Sequence, residues 1–116
     1  MSSPSLSIRI LFEGLRSLGY ASVSGTFAKV GTPTTNPARQ IWVTNNTDAP
    51  MIFTTDILNN PSGEFMLLPG AAWIEDITSN KTQTEGFYLA GGTQLWVKQV
   101  SAPTTGNVYF SVMYGR

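Results

Sequence analysis

The chain has 116 residues, with seven Lys plus Arg against seven Asp plus Glu and neither His nor Cys. That length suits one globular domain with its own core, and the missing residue types exclude disulfides, thiolate metal sites, the commonest general base and the commonest transition-metal ligand. Zero net charge, with cations scattered at Arg9, Arg16, Lys29, Arg39, Lys81, Lys98 and Arg116, leaves no basic stripe for a phosphate backbone, so no nucleic-acid partner is expected.

Short runs of Thr, Val, Ile, Phe, Tyr and Trp alternate with period two between Gly, Pro and Asn clusters, the pattern of an all-β chain. Leu6, Ile8, Ile10 and Phe12 fall on one side of the first run, which ends at Glu13-Gly14. Residues 15–30 form one bent strand or two, with Ser24-Gly25 as the bend. Residues 31–37 hold two prolines and no large apolar side chain, so they predict an extended loop. Residues 40–44 and 51–55 predict a hairpin whose turn is Asn45-Asn-Thr-Asp48, with Asp48 serving the turn. After a loop over 56–63, the apolar run at 64–68 ends at a Pro69-Gly70 turn. In the strand at 72–77, Trp73 and Glu75 face away from Ile74 and Asp76. Residues 87–90 and 94–98 flank the Gly91-Gly92 turn, Leu95 and Val97 alternate with Trp96 and Lys98, and a final strand runs over 108–114.

Eight or nine strands at spacings near ten residues predict an all-β, single-domain antiparallel β-sandwich, jelly-roll-like, of about eight strands. Residues 1–14 are its N-terminal arm or first strand, and residues 15–116 its body. Such an arm can close its own sheet or add to a neighbour's edge. The longest apolar runs, at 10–12 and 65–68, fall far short of the roughly 20 residues of a membrane span. The N-terminus has no basic n-region or apolar h-region. A cytoplasmic site of synthesis and no membrane partner are the expectation.

Chemistry finds little footing. Glu75-Asp76 is the only adjacent acidic pair, and strand neighbours point to opposite faces. No loop has EF-hand spacing, no glycine pair opens a helix before Lys-Ser/Thr, and no serine has a base at a useful spacing. The expectation is no enzyme, no catalytic or metal-binding residue and no cofactor. The sequons at Asn45 and Asn80 are chance matches in an Asn- and Thr-rich chain. With 14 Thr, 11 Ser and seven Asn but only 12% charged residues, about half the usual share, the surface is neutral and rich in hydroxyls and amides. Interface composition is likewise poor in Lys and Glu and enriched in aromatics. Trp42, Trp73 and Trp96 sit mid-strand, where core or subunit packing suits them better than sugar stacking.

Several blocks are similar to a group of small virion proteins of tailed bacteriophages: Leu15-Arg-Ser-Leu18, Ser24-Gly-Thr-Phe-Ala-Lys-Val-Gly-Thr-Pro33, Asn36-Pro-Ala-Arg39, Val43-Thr-Asn-Asn-Thr-Asp48, Asp76-Ile-Thr-Ser-Asn-Lys81, Gly92-Thr-Gln-Leu-Trp-Val-Lys98 and Gly106-Asn-Val-Tyr-Phe-Ser-Val-Met-Tyr-Gly115. The resemblance covers most of residues 15–116 and implies a noncatalytic β-sandwich subunit present in many copies in the virion. It carries no site residues. It implies as partners copies of the chain itself, in a homo-oligomer, and other virion proteins such as the major capsid protein. The expected role is a capsid cement or decoration protein; the alternatives are a neck or tail component and a host-glycan-binding module. Candidate partner-contact residues are Leu6, Ile8, Ile10 and Phe12 of the arm, together with Trp73.

Overall fold

The computed structural model describes residues 10–55, 64–76 and 90–115. Among these are nine strands: β1 (Ile10–Phe12), β2 (Arg16–Gly19), β3 (Ala28–Lys29), β4 (Gln40–Thr47), β5 (Met51–Thr54), β6 (Glu64–Leu67), β7 (Ala72–Asp76), β8 (Trp96–Gln99) and β9 (Gly106–Gly115). They form two antiparallel sheets. The first has the order β1-β9-β4-β7 with β2 also on β9, and the second the order β3-β8-β5-β6.

The paired registers show that β1 and β2 are one strand interrupted. Phe12 opposes Met113 and Arg16 opposes Phe110, so three residues face two, which is a bulge carrying one extra residue. The Glu13 amide still donates to the Val112 carbonyl at 3.1 Å. Counted as one strand, β1/β2 brings the total to eight, two sheets of four in the double Greek-key order of a jelly roll. The sandwich expected from the strand spacing is therefore present. The 15–30 stretch is two strands in different sheets, separated by a 3₁₀ turn over Tyr20–Ser22 and a bend after Ser24.

Alternation fixes what is buried. Ile41 and Val43 on β4, Met51 and Phe53 on β5, Val97 on β8, and Val108, Phe110 and Val112 on β9 fill the space between the sheets. Leu95, just ahead of β8, joins them. Each of these strands shows its other face outward, as period two requires.

One prediction is overturned. Residues 40–44 and 51–55 do not form a hairpin, because β4 pairs with β7 and β9 whereas β5 pairs with β6 and β8. The segment at 45–48 is not a two-strand turn either; β4 runs on to Thr47 and the chain then crosses to the other sheet. Asn45 is the cause. Its fully buried side chain donates through Nδ2 to the Ala49 and Leu67 carbonyls, both at 2.9 Å. Its Oδ1 accepts from the Thr47 amide at 3.1 Å and the Thr47 hydroxyl at 2.6 Å. Its backbone accepts from Gly70 at 2.8 Å and donates to Ala71 at 2.9 Å. One residue thus holds the β4–β5 and β6–β7 corners together. The second corner turns at Pro69-Gly70, where Gly70 has φ 80° and the Ala71 amide reaches the Leu68 carbonyl at 2.9 Å. That is the positive φ a type II turn needs after proline.

Gly106, which opens β9, has φ 96°, and a Cβ there would overlap the Asn46 carbonyl. Only glycine lets β9 begin this close to β4.

Asn45→Leu removes two donors and an acceptor from groups that stay buried, and is expected to lower unfolding free energy by about 3 kcal/mol. Asn46→Ala, one residue on with its side chain exposed, should stay within about 0.5 kcal/mol. Urea midpoints of the two variants against the parent chain measure the difference.

Candidate interaction surface

The two sheets expose different outer faces. In an antiparallel pair, opposed residues share a face. On the second sheet the outer register positions include Lys29, Trp96 and the fully buried Thr54 in one row, and Lys98, Ile52 and Met66 in another. Glu64 lies opposite Thr54. The Lys98 ammonium lies 3.9 Å from Glu64 and 4.7 Å from the Phe27 ring centroid, and that of Lys29 lies 5.7 Å from the Trp96 centroid. This face carries charges, and they are locally accommodated.

The outer face of the first sheet is different. Its rows are Phe12, Met113 and Gln40; then Ser111, Trp42 and Ile74; then Ser17, Tyr109, Thr44 and Ala72. Apart from Asp76, at the end of β7, no charged residue occupies a register position here. Phe12 is 66% exposed and Ile74 54% exposed. The Phe12 and Trp42 rings lie 6.3 Å apart at 34°. Four strands of about eight residues span roughly 19 by 26 Å, a face of about 500 Å². Exposed aromatics and aliphatics set among hydroxyls and amides make it a contact surface in composition.

Of the candidate contact residues, Phe12 lies on this face, and Ile10 holds a register position on it, opposite Gly115. Leu6 and Ile8 lie outside the described residues. Trp73 opposes Val43 and so belongs to the core side of β7. Its ring meets Phe65 at 4.5 Å, and Phe65 in turn stacks on Phe53 at 5.4 Å. This aromatic ladder closes the β6–β7 side of the sandwich over an apolar cavity of about 170 Å³ lined by Ile41, Val43, Thr55, Phe65, Trp73, Leu95 and Phe110. Trp73 therefore packs, with 37% of its surface left exposed at the edge.

The bulge carries a charged cluster that the sequence reading passed over. Arg16 and Glu13, 7% and 5% exposed, form an ion pair at 2.8 Å. The guanidinium also donates to the carbonyls of Thr32 at 2.6 Å, Pro33 at 2.8 Å and Gly14 at 3.2 Å. Glu13 accepts from the Thr35 and Asn36 amides and from Asn36 Nδ2. Gly31, at φ 67°, lets the loop lie against the Arg16 stem, where a Cβ would come within 2.8 Å. The pair fastens the 31–37 loop to the sheet. Burial by itself would raise the Glu13 carboxyl, but the hydrogen bonds from the Asn36 and Thr35 amides, the Asn36 side chain and Arg16 outweigh it and hold its pKa below the ordinary 4.5. A carboxylate so held stays ionised and is a poor proton acceptor near neutrality. A neighbouring cleft of about 480 Å³ is lined by Leu15, Thr32, Thr35, Asn36 and Tyr114 beside the pair.

Asp48 does more than serve its own corner. It accepts from the Thr104 amide at 2.7 Å, from the Thr104 hydroxyl and from the Thr105 amide, bracing the loop before β9. The Thr104 hydroxyl and amide also lower its pKa. Glu75 and Asp76 oppose Ile41 and Gln40, which puts them on opposite faces as expected. Among the described residues no three acidic groups lie close enough to hold a metal ion, and no helix is long and apolar enough to cross a membrane.

Compared with known protein families, curated proteins and solved structures, the chain has no match.

A depressed folded-state pKa at Glu13 means its stabilisation is complete above the unfolded value near 4.5 and is lost as pH falls through the folded value. Glu13→Gln should be less stable than the parent at pH 7. The two stability curves should converge on acidification below that value, as followed by denaturant midpoints against pH.

Proposed function

We propose that the chain is a non-enzymatic structural subunit of a tailed-bacteriophage virion, a cement or decoration protein that packs against copies of itself and the major capsid protein and stabilises the head. The observation that carries this reading is the difference between the two outer faces. One is charged; the other is nearly uncharged and presents Phe12, Trp42, Ile74 and Met113 in adjacent rows. Burying the second face against a shell covers exposed apolar surface at almost no cost in charge desolvation.

The size of the face suits a many-copy role. About 500 Å² lies below the roughly 800 Å² per partner of a standard stable interface, so one contact is weak, and repetition around a particle supplies the rest. Saturation of the Glu13–Arg16 cluster by its own loop supports a structural role over a catalytic one. Jelly rolls serve many functions, so the strand order is compatible with the proposal and supplies no independent weight.

Copy number in purified particles tests the role. Several hundred copies fit a cement protein, whereas a single ring of about six or 12 sinks that assignment and moves the subunit to the neck or tail. The face is tested by Ile74→Asp. This exposed substitution should shift stability by no more than about 0.5 kcal/mol and lower particle association at least tenfold in a co-sedimentation assay. Unchanged association would remove the face from the interface.

A further inference from the structure

We infer that the free edge of β7 takes residues 1–9 of a neighbouring copy as an added strand, linking copies head to tail. The inference rests on the many-copy reading above and names the receptor for the arm. Among the described residues β7 pairs only with β4, and none of them completes a ladder on its other side. Natural edges are blunted by Lys, Pro, a bulge or an inward-pointing charge. The opposite edge of the first sheet has such a device, the Glu13–Leu15 bulge fastened by Arg16. β7 has no Lys, Pro or bulge, and its guard is the inward-facing Glu75, opposite Ile41, while Trp73 and Ile74 on the same strand are exposed. Leu68, at the corner that leads into β7, is exposed as well.

The arm matches it. Leu6 and Ile8 alternate with Ser5, Ser7 and Arg9, and Arg9 is the segment's only charged side chain. Glu75 on β7 has no ion-pair partner among the described residues. In either strand direction, the parity that puts Arg9 on the Glu75 side puts Leu6 and Ile8 on the Ile74 side. There they extend the apolar outer face of the first sheet.

Chain geometry selects a neighbour's arm over the chain's own. β1 and β7 are opposite edges of one sheet, separated by β9 and β4, three strand spacings or about 14 Å. Phe12, Met113, Gln40 and Asp76 share one row, so Ile10 already lies about 7 Å beyond the end of β7. Nine extended residues reach about 30 Å. A chain doubling back onto its own β7 would spend most of that length on the crossing, whereas one running straight on keeps it for pairing. Two different edges then meet, a heterologous contact that closes into rings or continues as an array.

Because the chain has no Cys, disulfide trapping reports the contact cleanly. Ile8→Cys chains mixed with Ile74→Cys chains, as concentrated full-length protein and on particles, should give a disulfide-linked dimer under mild oxidation. Arg9→Glu should cut its yield about fivefold, with recovery on pairing to Glu75→Arg. The chain carrying both cysteines should give a ladder of oligomers. A single fast-migrating monomer from the double variant means the arm folds onto its own β7 and overturns the inference, as does absence of linked product from the mixture. Linked dimers from a protein present at about six copies per particle would sink the cement role and leave the edge contact standing. Hundreds of copies without linkage would do the reverse.

Discussion

The buried carboxamide of Asn45 is the constraint on which the sandwich depends. Two sheets of four strands can share a core only if the chain changes sheet repeatedly, and each change strands backbone groups away from a ladder. At two of those changes, after β4 and after β6, the missing partners come from one side chain and its own peptide. A hydrophobic residue would fill the volume and leave the Ala49 and Leu67 carbonyls unpaired. The polar group is there because the topology creates the demand.

That arrangement also sorts the outer surface. With the core-facing positions occupied by Ile41, Val43, Phe110 and Val112, the alternate positions of the same strands must look outward. On the first sheet those positions are Trp42, Ser111, Tyr109 and Met113 instead of Lys and Glu. The low charge content of the sequence is therefore unevenly distributed. The second sheet holds Lys29, Lys98 and Glu64 on its outside, and the first is left almost bare of charge, which makes the molecule two-sided.

Period-two alternation was enough to find most strands and to set Leu95 and Val97 on one face against Trp96 and Lys98. It could not say which strands pair. Asn45-Asn-Thr-Asp48 has the residues of a hairpin turn, and nothing local distinguishes a chain that turns back beside its predecessor from one that crosses to the opposite sheet. The distinction lies in Leu67 and Ala71, more than 20 residues away. The Glu13–Arg16 pair left a partial signal, opposite charges three apart around a glycine in a strand pattern, which fits a bulge. Its remaining partners, Thr32, Pro33, Thr35 and Asn36, become neighbours only when the 31–37 loop folds back. Trp73 was legible as a packing residue, while its place at the outer end of the Phe53–Phe65 ladder was not.

The in-line placement of β1 and β2 along β9 has a mechanical side. Their hydrogen bonds to β9 run across the strand direction, so tension applied at residue 10 along the strand acts on the rungs in shear, together and not one after another. Behind the first three residues stand the bulge and its ion pair, fastened in turn to the 31–37 loop. A tug on the front of the chain is thereby passed into both the sheet and the loop that leads to β4, and the body of the sandwich carries the load.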